Sequence, residues 1–105
     1  APMVKCGRKE VNYKMVYMIS YDLNKSGKNY DGVFEAIKKA SIKWCHYLDS
    51  TWLIKANYSS ANDVFNLIKP NLDSDDRCIV IQVENNKQGW LTKEQWDFIN
   101  NEIFG

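Results

Sequence analysis

The chain has 105 residues, 45% hydrophobic and 13% aromatic, which suits one compact domain around a single core. Fourteen basic residues against thirteen acidic ones leave a net charge of +1. That excludes the strong positive field of a dedicated electrostatic DNA binder, and no apolar run approaches the ~20 residues of a membrane-spanning helix.

The charge is unevenly spread. Between Lys25 and Lys43, five lysines face Asp31 and Glu35, a local +3. Between Asp73 and Glu84, four carboxylates face Arg77, a local −3. Such patches are either solvated faces or docking surfaces for a subunit or a phosphate. The three cysteines, Cys6, Cys45 and Cys78, are odd in number and widely spaced. With no signal-peptide pattern, they predict reduced thiols and a cytoplasmic protein.

Residues 1–13 have no apolar period and read as a tail, with room for an edge strand around Val11 to Tyr13. Lys14 to Asp22 follows, with Val16 to Tyr21 apolar or aromatic except for Ser20. It lacks clean alternation, so it predicts a central strand covered on both faces. The strand stops at Asp22, and Asn24, Lys25, Ser26, Gly27 and Lys28 form a polar loop. Tyr30, Val33, Phe34 and Ile37 then fall at helical spacing, with Asn29 or Asp31 as the cap, predicting a helix over Tyr30 to Ala40.

Ile42 to Leu48 and Thr51 to Ala56 are rich in β-branched and aromatic residues and flank a turn at Asp49-Ser50. They predict two strands, at least one buried in the sheet. Ala61, Val64, Phe65 and Ile68 mark a second amphipathic helix, capped by Ser60 and ended by Pro70. Asp73 to Asp76 is a turn. Arg77 to Val83 is a strand, with Ile79, Ile81 and Val83 on one face and Cys78, Val80 and Gln82 on the other. Thr92 and Gln95 are spaced as a capping box, and Trp96, Ile99, Ile103 and Phe104 give the helix that follows an apolar stripe.

The domain is therefore read as residues 1–105, with 1–13 a tail and 90–104 a C-terminal helix. The order β-α-β-β-α-β plus that helix predicts an α+β, ferredoxin-like fold, an antiparallel sheet with two helices on one face. The opposite face would need a partner, a ligand or water, and a homodimer is the simplest cover.

Val16-Tyr-Met-Ile-Ser-Tyr-Asp-Leu23, Tyr30-Asp-Gly-Val-Phe-Glu-Ala-Ile37, Asp49-Ser-Thr-Trp-Leu-Ile54 and Leu67 to Arg77, in this order, resemble the SinR-like proteins. That family is similar to the second CRISPR-associated protein and to the VapD toxins. The resemblance covers roughly residues 14–84 and implies a ferredoxin-like homodimer. In the related nucleases an aspartate ends the first strand, and two copies meet across the dimer to hold a divalent metal. The matching residue is Asp22, so the resemblance implies Mg or Mn there. In CRISPR-linked members the dimer is also a DNA-binding structural bridge, and some members do not need nuclease activity, so membership leaves catalysis open.

Asp22 has two readings, a cap on the loop turn or a metal ligand activating water for phosphodiester cleavage. Ser20 and Asn24 are placed to support it. Lys25 and Lys28 either contact a phosphate backbone or are simply exposed, and their loop lacks the glycine and Ser or Thr of a P-loop. His46, the sole histidine, is either a general acid or base or a hydrogen-bonded structural residue, and no second ligand makes it a zinc site. Tyr17, Tyr21 and Trp52 either stack bases or pack in the core. Asp73, Asp75 and Asp76 lack the glycine and distal Glu of a calcium loop.

Three functions follow as expectations. The first is a dimeric nucleic-acid-binding protein, an Mg- or Mn-dependent endonuclease (an endoribonuclease) if Asp22 acts. The second is a non-catalytic module that holds a protein partner. The third is a small nucleotide-binding protein.

Overall fold

The computed structural model describes residues 14–23 and 30–105. The expected tail, the edge strand near Val11 to Tyr13, and Asn24, Lys25 and Lys28 lie outside the described residues. Strand β1 is Met15–Asp22, helix α1 Tyr30–Ala40, β2 Lys43–Leu48, β3 Thr51–Ala56, α2 Ala61–Ile68, β4 Arg77–Val83 and α3 Lys93–Phe98. The four strands form one antiparallel sheet in the order β2-β3-β1-β4. Together with the helices they make a small α+β domain.

Both α1 and α2 cover the same sheet face. Tyr17, Ile19 and Tyr21 from β1 and Trp52, Ile54 and Ala56 from β3 point to it. Val33, Ile37 and Ala40 of α1 and Val64 and Ile68 of α2 meet them there. Their i, i+4, i+7 spacing in α1 lines one side of the helix, and Lys38 and Lys39 in its last turn suit the negative end of the helix dipole. Gly32 lets α1 approach the segment after α2: a β-carbon there would sit 2.8 Å from the Asn71 side-chain oxygen. Ser60 caps α2 by accepting from the Asp63 N–H at 3.2 Å. Pro70 tightens the chain into a 3₁₀ turn over Lys69–Asn71, after which Leu72 still packs on the core.

The other face departs from expectation. Helix α3 begins one turn later than residue 90, at the Thr92 cap, and continues as a π-helical turn over Ile99–Ile103. It lies over β2 and β3, with Ile99 and Ile103 buried beneath it. The capping box is complete: the Gln95 N–H donates to Thr92 Oγ1 at 3.1 Å and the Thr92 N–H to Gln95 Oε1 at 3.0 Å. Gln95 Nε2 also donates to the Tyr47 carbonyl at 3.0 Å, fixing the helix start to β2. At the far end Lys43 pairs with Glu102 at 3.3 Å and Lys55 donates to the Gly105 carbonyl at 2.9 Å.

The chain thus covers half of the face left above to a partner, a ligand or water. Among the described residues the β1/β4 half stays open. The expectation that β1 is covered on both sides fails there: Val16 is buried, but Met18 and Ser20 are only partly so and Asp22 is exposed. Across from them Ile79 is 54% and Ile81 41% exposed. The pairings Met18 with Ile81, Ser20 with Ile79, and Asp22 with Arg77 put all six residues on this open half.

Candidate functional site

Asp22 is the last residue of β1, a central strand whose backbone is fixed by β3 on one side and β4 on the other. Pairing with β4 runs to its very end, so the carboxylate stands at the rim of the sheet on a rigid support. Ser20, Tyr21, Asp22, Arg77, Cys78 and Ile79 line a hollow of about 330 Å³ there. Arg77 sits opposite Asp22 in register, but its Nη1 donates to the carbonyls of Asp76 at 2.9 Å and Ser74 at 3.3 Å. The guanidinium thus braces its own turn. In that turn the buried Asp76 accepts from the Asp73 N–H at 2.8 Å, an ordinary carboxylate turn.

Ser20 shares the open face with Asp22, yet its hydroxyl bonds Thr51 Oγ1 at 3.2 Å, toward β3. Among the described residues no group of three or more His, Cys, Asp and Glu side chains is placed to hold a metal ion. Among the described residues lining the hollow, Asp22 is the one carboxylate, and a divalent cation takes six or more oxygens. The donor set fits Mg or Mn only when a second carboxylate joins it.

His46 is not brought to Asp22. It projects from edge strand β2 on the helix-covered side and stacks on Trp52, with ring centres 4.2 Å apart and planes 10° from parallel. Phe34 meets its edge at 5.1 Å. His46 Nε2 lies 3.0 Å from the Asp49 carbonyl and 3.5 Å from the Tyr21 hydroxyl. That hydroxyl donates to Asp49 O at 3.2 Å and accepts from Trp52 Nε1 at 2.9 Å. Burial is the main force pushing the Tyr21 phenol above its ordinary value, with the Trp52 bond opposing it. Tyr17, Tyr21 and Trp52 are buried, so none presents a ring face to a base.

The two thiols among the described residues, Cys45 and Cys78, are free but not activated. Burial pushes Cys78 up to about 11 and also raises Cys45. Both are protonated at neutral pH, which removes thiolate chemistry.

A second hollow was not legible in the sequence. It follows the outer edge of β2, holds about 440 Å³, and is lined by Ile42, Lys43, Trp44, Cys45, His46 and Phe98. Trp44 is 40% exposed here. Of the two strands of which at least one was expected to be buried, β2 is an edge strand and β3 is sealed between its neighbours. No family model matches the chain, and no curated protein does.

Proposed function

We propose that the chain is a cytoplasmic, ferredoxin-like homodimer of the SinR-like kind, akin to the second CRISPR-associated protein and VapD, that binds nucleic acid and cleaves a phosphodiester with Mg or Mn at paired Asp22 carboxylates. The strand order β2-β3-β1-β4 with α1 and α2 on one face supports the ferredoxin-like reading. The free thiols of Cys45 and Cys78 favour a reducing compartment.

One observation carries the functional reading. Asp22 is exposed at the end of a rigid central strand, on the half of the sheet that the C-terminal helix leaves open. Sheets packed face to face lie about 10 Å apart, a gap that two inward carboxylates nearly close. A dyad there would supply the second carboxylate. A divalent ion so held lowers the pKa of its water and offsets charge on the phosphoryl group. Asp22 would hold the ion, and the Lys25 and Lys28 loop would steer the phosphate backbone.

The test is cleavage of labelled RNA and DNA with Mg²⁺ or Mn²⁺ by the wild type and by Asp22→Asn. Metal-dependent cleavage lost in the variant supports the reading. Equal cleavage by both proteins, or none by the wild type in either metal, rejects it.

A second reading, a non-catalytic module holding a protein partner, is favoured by the exposed Ile79 and Ile81. It predicts that Ile79→Lys abolishes assembly while Asp22→Asn leaves it intact.

A further inference from the structure

We propose that the outer edge of β2 is a stacking platform for an unpaired base of single-stranded nucleic acid, with Trp44 as the platform and Lys38 and Lys43 as the phosphate contacts. This rests on the nucleic-acid reading above and names the kind of strand recognised.

Of the two readings for Tyr17, Tyr21 and Trp52, base stacking or core packing, the second holds, whereas Trp44, on the same strand as His46, is not sealed in the core. Its ring is held from below by Trp52 at 5.3 Å, so it is exposed but not loose. Ile42 and Phe98, both exposed, extend the apolar wall on either side. The hollow is the size of a small-molecule site. Solvent-facing aromatic rings on a fixed support are the feature that single-strand binders present to bases, whose π-faces are free only outside a duplex.

The flanking charges match a phosphate backbone. The Lys38 ammonium lies 4.9 Å from the Trp44 ring centre. Lys43 precedes Trp44 and points to the opposite face. Their carboxylate partners are Glu35 at 3.8 Å and Glu102 at 3.3 Å, and all four side chains are well exposed. Exposed ion pairs contribute little. Exchanging either carboxylate for a phosphate therefore costs little. An incoming base would displace the Lys38 ammonium from the ring toward the backbone phosphate. The near-neutral total charge fits a site that depends on stacking more than on a basic field.

Fluorescence anisotropy with labelled oligo-dT, oligo-U and the matching duplex tests this on the full chain. The wild type should prefer the single strands. Trp44→Leu should bind them about ten-fold more weakly, the scale of one lost base–aromatic stack. Trp44→Phe should retain most of the affinity but lose the tryptophan quenching that accompanies binding. Lys38→Ala should lower the salt slope by about one. Trp90→Leu should bind as the wild type does, because Trp90 is fully exposed and is not among the residues lining the hollow. If folded Trp44→Leu binds single strands as tightly as the wild type, or the wild type prefers the duplex, the platform is wrong while nucleic-acid binding survives. If the wild type binds none of the three, both readings fall.

Discussion

Trp52 Nε1 donates to the Tyr21 hydroxyl at 2.9 Å, joining the two central strands through a buried side-chain bond. The same hydroxyl donates to the Asp49 carbonyl, so one oxygen links β1, β3 and the β2–β3 turn. Tyr21→Phe keeps the ring and removes both bonds. It leaves the Trp52 N–H buried without an acceptor and should cost about 1–3 kcal/mol, read from the urea midpoint. A change below a few tenths would mean water replaces the hydroxyl.

Gly32 offers a test in which a neighbouring side chain offsets the gain from a substitution. Helix propensity alone favours Gly32→Ala by up to about 1 kcal/mol. The new β-carbon would meet Asn71 Oδ1 at 2.8 Å, the far end of a side chain that can turn away, so the gain should shrink to within about 0.5 kcal/mol of zero. In an Asn71→Ala background the obstruction is gone, and the same substitution should stabilise. Thermal melts of the four proteins decide it, and additive effects would refute the contact.

Ile103, the last residue of the π-helical turn, is fully buried against the sheet. Ile103→Ala should cost roughly 2–5 kcal/mol. Amide exchange should quicken first in α3 and at Val16, not in α1 or α2. Uniform acceleration across the molecule would show that the terminal helix does not open separately.

Cys78 ties stability to alkaline pH. Burial raises its thiol from 9.0 to about 11 in the folded chain. The unfolded chain loses this proton first, so the contribution is complete below pH 9 and is lost as pH climbs through about 11. Denaturant midpoints should fall over this window, and Cys78→Ala should flatten the decline. At pH 8 iodoacetamide should modify folded Cys78 far more slowly than a small free thiol.

The extents of α1, β3 and β4 were legible in the sequence because pattern and punctuation agree there. Val33 and Ile37 lie on one helical face, Asp49-Ser50 marks the turn before Thr51, and Ile79 and Ile81 alternate with Cys78 and Val80. The cap of α3 was equally legible, because Thr92 and Gln95 carry a local mechanism. Where α3 lands was not. Trp96, Ile99 and Ile103 announce an apolar stripe but not the β2/β3 half of the sheet that receives it. For the same reason β1 misled. Val16 is buried while Met18 and Ser20 of the same face stay partly open. At the site, the placement of Asp22 followed from the strand simply ending there. The exposure of Trp44 did not, since a run such as Ile42 to Leu48 reads alike at an edge and in the centre.

The register shift between Cys45 and Leu48 has a consequence for self-association. A foreign strand laid against that margin would lose its ladder of amide bonds within a few residues. The opposite margin has no such interruption. β4 pairs with β1 in unbroken register from Arg77 to Val83, has no proline or lysine, and has no neighbour on its outer side among the described residues. Any templated fibre formed in warm, concentrated solution should therefore grow from β4, and a lysine at position 81 should delay its onset.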